Sequence, residues 1–335
     1  MFYKESETGQ ILQEGINEAG GMADWIAAAT AYANHGVAMI PFYIYYSMFG
    51  FQRIGDLAWA AGDLRARGFL VGGTAGRTTL NGEGLQHQDG HSHLQAAMIP
   101  NCVSYDPTFA YELAVIVQDG MRRMYQNQED VFYYLTVMNE NYAHPAMPAG
   151  AEEGIIKGMY KFSASKAKAK ARVQLLGSGT ILREVIAGAD LLEKEFGIVA
   201  DIWSVTSFNQ LRRDGIETQR WNMLHPESEP RPSHLETFLK DREGPVVAAT
   251  DYMKLFADQV RGFLPTHHFH ALGTDGFGRS DTREKLRRFF EVDRNYVAVA
   301  ALKALADMEL VPRKKVTEAI KKYGVDPEKP NPVTV

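Results

Sequence analysis

Apolar positions along the chain follow two periods that take turns. Met22, Ile26, Ala29 and Ala33 recur at helical spacing, with Asn17 and Glu18 where a helix N-terminus belongs and Gly36 as a stop. Residues 37–45 (VAMIPFYIY) predict a buried strand with Pro41 near its end, and a helix carrying Tyr46, Phe49 and Phe51 follows. Gly68–Val71 and Ala96–Ile99 are short, strand-like apolar segments. NCVSY (101–105) predicts a strand and 107–126 a helix with Pro107 in its first turn, while VFYYLTVM (131–138) is rich in β-formers. Strand and helix alternating at these intervals imply βαβ units and a parallel sheet.

Residues 139–154, with their prolines and glycines, break the pattern, and it then resumes. Segments 171–179, 198–207, 245–250 and 268–274 predict strands. The helices between and after them are 180–197 (ended by Gly197), 252–264, Asp281–Phe290 and Asn295–Met308. The fold class is therefore α/β, with two doubly wound domains and mostly parallel sheets. The first covers 1–150, a connector runs over 151–170, and the second covers 171–335.

One stretch obeys neither period. Residues 70–93, LVGGTAGRTTLNGEGLQHQDGHSH, hold six glycines, three histidines, two acids and one arginine. Long ordered loops inside compact domains carry function more often than not, and histidines there can titrate, bind a metal or orient an anion. The metal reading needs His87, Asp89, His91 and His93 to converge and lacks a distant partner of recognisable spacing. It leaves a metal-dependent hydrolase as an alternative.

Composition narrows the field. Of 335 residues, 45% are hydrophobic and 23% charged, with a net charge of −5, which gives no reason to expect nucleic acid or an anionic membrane as partner. The one basic run, Lys161–Arg172, marks a solvated connector. Cys102 stands alone, so no internal disulfide forms and a reducing, most simply cytoplasmic, compartment fits. No signal peptide opens the chain, and no apolar run has the length of a membrane span. GSG (177–179) and GFG (276–278) follow strands but match neither GxGxxG with its ribose acid nor a Walker sequence, and so predict tight turns. Tyr43, Tyr45, Tyr46, Phe49 and Phe51 form an aromatic group that by default is core or subunit interface. On a helix, Tyr46 and Phe49 share one face.

At these residues the chain resembles a family. GINEAG (15–20) is similar to the G-[IV]-x-E-x-[GA] motif of thiamine-diphosphate enzymes of the transketolase type. Residues 42–63 (FYIYYSMFGFQRIGDLAWAAGD), 72–93 and 275–293 (DGFGRSDTREKLRRFFEVD) resemble its homodimeric bacterial pyruvate dehydrogenase branch. The resemblance runs along the whole chain but covers only the C-terminal part of such enzymes. The GDG…N domain that holds the diphosphate and Mg2+ precedes the matched region, as does the start of the pyrimidine-binding domain. Residues 1–150 then correspond to the remainder of that domain, and 171–335 to a transketolase-type C-terminal domain. The resemblance implies that Glu18 hydrogen-bonds a ring nitrogen of the aminopyrimidine and favours its imino tautomer. It further implies that Tyr46 and Phe49 pack on that ring, that His87 lines the pyruvate pocket, and that Glu83 is a nearby acid. Implied partners are pyruvate, the lipoyl domain of dihydrolipoyl acetyltransferase and a second copy of the chain. Without the diphosphate and Mg2+ contacts, these residues alone are expected to be inactive or to serve only dimerisation and assembly.

Overall fold

The computed structural model describes residues 4–83 and 85–335; Met1–Tyr3 of the opening segment and Gly84 of the long loop lie outside the described residues. Two sheets organise the chain. The first is parallel throughout, in the order β1-β2-β4-β3, from β1 (Phe42–Tyr46), β2 (Phe69–Gly73), β3 (Cys102–Tyr105) and β4 (Phe132–Thr136). One face of it packs on α1 (Glu18–Ala29) and α3 (Gly50–Asp63), beyond the single turn α2 (Ala31–Asn34), and on α4 (Ser92–Ala97). The other face packs on α5 (Ala110–Met121) and α6 (Glu152–Lys157).

The second sheet has the order β5-β7-β6-β8-β9, from β5 (Tyr160–Ala164), β6 (Arg172–Gly177), β7 (Val199–Ser204), β8 (Val246–Ala249) and β9 (Phe269–Leu272). Only β5 runs antiparallel, along β7. Its apolar faces are covered by α7 (Leu182–Phe196) and, on the opposite side, by α8 (Phe208–Leu224), α9 (His234–Leu239) and α10 (Lys254–Asp258). The tail adds α11 (Arg283–Phe289), α12 (Arg294–Asp307), which packs beside α7, and α13 (Arg313–Lys322). α7 stops where Gly197 turns left-handed (φ +64°), as its glycine predicts. Among the described residues no helix is long and apolar enough to cross a membrane.

Several local expectations are corrected. The strand begins at Phe42, after Pro41 and not through it, because proline lacks the amide a ladder needs. Segment 96–99 ends a helix: Asp89 accepts from the Ser92 amide and hydroxyl, capping a turn that apolar content alone cannot distinguish from a strand. The helix after β3 starts at Ala110, three residues beyond Pro107. Part of the basic run is β5, whose partner strand lies 40 residues downstream, while Lys166–Lys170 is exposed.

A buried acid joins the two sheets. Glu112, at the start of α5, accepts from the amides of Thr108 (2.5 Å) and Phe109 (3.0 Å), and from the hydroxyls of Tyr160 (2.6 Å) and Ser204 (2.6 Å) on β5 and β7. Removing it strands four donors in the interior. Glu112→Ala is expected to cost more than about 3 kcal/mol in chemical denaturation. A loss under about 1 kcal/mol would mean water satisfies these groups.

Candidate active site

The carboxyl ends of β1 and β2 open into the loops that hold the sequence-predicted residues. Asn17 caps α1 by accepting from the Gly20 amide (3.1 Å), which fixes Glu18 at the helix start. Glu18 Oε1 accepts from Arg53 on α3 at 2.6 Å, and Oε2 accepts no hydrogen bond from the described residues. The Arg53 guanidinium lies 4.3 Å from the centroid of the Phe49 ring. Phe49 meets His87 edge-on at 5.1 Å, and Tyr46 meets both, His87 at 5.9 Å and Phe49 at 6.3 Å. Glu18, Arg53, Phe49, Tyr46 and His87 thus form one continuous cluster.

Tyr46 and Phe49 share a face, but not on a helix. Tyr46 ends β1, and the Phe49 amide donates back to its carbonyl (3.0 Å) in the turn that starts α3. A turn brings i and i+3 together as a helix does, so the spacing was informative and the element was not. Tyr46 stays 49% exposed beside a half-buried His87, leaving an open aromatic face. Tyr45 and Phe51 point into the core instead. Glu83 is exposed and makes no hydrogen bond among the described residues.

The loop's three histidines separate. His87 Nδ1 is buried without a partner. His91 sits against the Gln52 amide, Nε2 to Nε2 at 2.8 Å. His93 stacks on Phe256 (4.8–5.3 Å distances recur in this aromatic group, here 4.9 Å) and is wholly buried, which pulls its pKa down to about 4. Among the described residues no three His, Cys, Asp or Glu side chains gather as a metal would require, so the loop gives a hydrolytic metal centre no support.

Sequence reasoning passed over three features. Arg53 is four residues beyond Phe49 on the same helix face, a spacing that could have flagged it. Thr74 follows β2 with φ +55°, a left-handed conformation costly for a β-branched residue, and its hydroxyl is buried without a partner, as is that of Ser47 after β1. Such orphaned groups at the carboxyl ends of parallel strands are where these sheets place ligands. The third is Asp106, at the end of β3, fully buried with Oδ2 unpartnered. Burial pushes its pKa up to about 7, against hydrogen bonds to Oδ1 from Thr136 and Tyr252 and with the Asp251 charge adding to the rise. Thr136 donates to Asp106 Oδ1 (2.7 Å), so it accepts from His93 Nε2 (2.9 Å), which places the imidazole proton on Nε2.

A carboxyl whose folded pKa is raised contributes stability below its unfolded value near 4 and loses it as pH rises to about 7. Asp106→Asn is therefore expected to gain stability relative to the unsubstituted protein across that interval and to show a constant difference below it. Urea denaturation at stepped pH checks this, and a pH-independent difference would refute it.

Comparison with known proteins supplies a frame for this geometry. Residues 1–145 match the family model of the pyruvate dehydrogenase E1 component middle domain, and 158–293 that of the transketolase-like TK C-terminal domain. The pyruvate dehydrogenase E1 component of Cupriavidus necator is 68% identical over 336 residues, covering 100% of this chain and 37% of its own length. That of Escherichia coli K12 is 60% identical over 332 residues, covering 99% of this chain and 37% of its own. The chain thus spans little more than a third of the length of these curated relatives. Among solved structures, transketolase from Campylobacter jejuni aligns over 83% of this chain and 38% of its own, with TM-score 0.62 and 18% identity, a likeness of fold alone.

Proposed function

The chain belongs to the pyruvate dehydrogenase E1 component family, and from that membership we propose that its residues form the aminopyrimidine- and substrate-facing part of a thiamine-diphosphate site that decarboxylates pyruvate and passes the acetyl group to the lipoyl group of dihydrolipoyl acetyltransferase. The observation that carries this reading is the convergence of Glu18, Arg53, Phe49, Tyr46 and His87 at the ends of β1 and β2.

The residues fit the pyrimidine end of the cofactor. Tyr46 and Phe49 offer a flat ring an open aromatic wall. Glu18 keeps Oε2 for a ring nitrogen while Arg53 fixes the carboxylate through Oε1. A carboxyl held there can share a proton with that nitrogen, the task the resemblance implies for it. His87 faces the same wall and is placed to donate to the carboxylate or developing oxyanion of a 2-oxo acid. Thiamine diphosphate, when bound, supplies the electron sink for decarboxylation. Glu83 is an exposed acid four residues before His87 on the same loop, and we assign it a secondary acid role in the site. Among the described residues no group of carboxylates gathers that could hold Mg2+, and we place the diphosphate and Mg2+ contacts outside these 335 residues.

The second copy of the chain has a natural place. On edge strand β1 the outward side chains Phe42, Ile44 and Tyr46 are 49%, 70% and 49% exposed, and Val37, Met39 and Ile40 extend the apolar strip. Such a strip favours cover by another subunit, consistent with a homodimer.

Three measurements test the reading. In the complete enzyme, Glu18→Gln is expected to slow turnover 10²–10⁴-fold, a span typical of general acid–base groups and about that order here, with cofactor affinity little changed. His87→Ala should lower kcat/KM for pyruvate. Unchanged decarboxylation with only a lower Tm would leave Glu18 a helix-start acid and sink the assignment. The isolated 335 residues should bind thiamine diphosphate no more tightly than about millimolar. One charge-assisted bond adds roughly 1.5–3 kcal/mol and ring packing about 1 kcal/mol, against an association cost of about 4–15 kcal/mol. Titration calorimetry with Mg2+ decides it; a micromolar constant would mean that these residues do hold the diphosphate.

A further inference from the structure

Open α/β sheets bind ligands in the crevice outside the carboxyl ends of their strands, where the strand order reverses. In the second sheet that point lies between β6 and β8, since the chain passes from β6 out to β7 and back across to β8. The crevice is lined by Ser178, Thr180, Thr250 and Asp251, all fully buried. What fills it is the first domain's long loop. Asp251 Oδ1 accepts from the Thr78 amide (2.9 Å) and hydroxyl (2.7 Å), and Oδ2 from the Thr79 amide (3.1 Å) and hydroxyl (2.6 Å). The Asp251 carbonyl accepts from the Arg77 amide at 3.1 Å. Thr79 also meets Thr180 hydroxyl to hydroxyl. Gly76, at φ +89°, lets the backbone pass where a Cβ would lie 2.3 Å from Asp251 Oδ2.

The grip continues around the loop. Arg283 Nε donates to the Thr79 carbonyl (2.7 Å), and the Gly82 amide donates to the Asp281 carbonyl (3.2 Å). Gln88 closes the circuit: its Nε2 donates to the Leu80 carbonyl (2.7 Å), and its Oε1 accepts from the Arg279 amide (2.7 Å). The Met253 amide donates to the Gly90 carbonyl at 2.8 Å. Glu83 and His87 therefore lie between two feet, at Thr78–Leu80 and Gln88–Gly90, that both stand on the second domain.

We propose that Asp251 is a positioning residue for the substrate pocket: the second domain holds the Thr78–Thr79 foot of the loop in its own ligand crevice, and that grip sets where His87 stands. The inference rests on the reading of His87 as a pyruvate-facing residue. It assigns the crevice to a segment of the same chain, leaving it no small-molecule ligand. A carboxylate is required, because four donors converge on two acceptor atoms and an amide at this position would turn an NH2 toward two of them.

The test uses the complete enzyme with three substitutions, Asp251→Asn, Thr79→Val and Thr79→Ser, each followed by pyruvate kinetics and by hydrogen exchange of the amides over 80–88. Displacement of a reacting group by about an ångström can cost 10²-fold, so Asp251→Asn and Thr79→Val should lower kcat/KM for pyruvate by roughly 10- to 100-fold and speed exchange in that segment. Thr79→Ser, which keeps the hydroxyl, should restore both. If Asp251→Asn fails to fold, the Val and Ser pair at Thr79 decides alone. Faster exchange with kcat/KM within about twofold of wild type in Thr79→Val would overturn the proposal, since a small cost is all a merely structural contact predicts. His87→Ala separates the two readings. Loss of activity there with wild-type kinetics in Thr79→Val removes the positioning role alone; full activity in His87→Ala removes the pyruvate-site reading beneath it.

Discussion

A carboxylate taken wholly out of water has to be surrounded by donors, and Asp251, after β8, meets that demand with the backbone and side chains of two consecutive threonines from the loop after β2. The requirement works in both directions. The loop has almost no apolar residues with which to bury itself, and it gains a single conformation by satisfying a charge it does not own. Arg287 reinforces the arrangement from a third side, pairing with Glu140 after β4 and standing by Glu184 on α7. Burial raises the Asp251 pKa, and Arg287 with the threonine donors opposes the rise. Two sheets that could have been separate domains are in this way committed to one geometry.

The parts of this architecture that were legible in the sequence are those set by local periodicity. The strands other than β5 announce themselves through apolar and β-forming runs, α7 through amphipathic spacing and a terminal glycine, and α12 through a run of apolar helix formers. β5 and α8 did not, for different reasons. β5 sits in a lysine-rich run whose strand character comes only from pairing with β7, while α8 is a polar helix with few apolar positions to set a period. Helix α4 has no helical pattern of its own; its first turn is held by the Asp89 side chain, which accepts from the Ser92 amide and hydroxyl.

The candidate site divides along the same line. Glu18, Tyr46, Phe49 and His87 were named through motif resemblance, and they lie together because a turn, a strand end and a loop converge. Arg53 escaped notice because its role is to touch two residues that are 35 and four positions away. Asp106 and Asp251 escaped because an aspartate after a strand looks like any loop residue until elements distant in sequence bury it. Long-range burial is the property a single sequence discloses least, and here it determines which acids matter.

The chain His93–Thr136–Asp106 has a thermodynamic consequence of its own. In the unfolded chain near pH 5.5 the histidine carries a proton and the aspartate does not. In the folded chain the assignments are reversed, because burial lowers one pKa to about 4 and raises the other to about 7. Folding therefore moves a proton from one residue to the other with no net exchange with the solvent from this pair, and their opposite contributions to the pH slope offset each other through the mildly acidic range. Alone, His93 would cost the fold stability on acidification and Asp106 would cost it stability as the pH rises toward 7; together they leave the interface they share with little pH dependence between those limits.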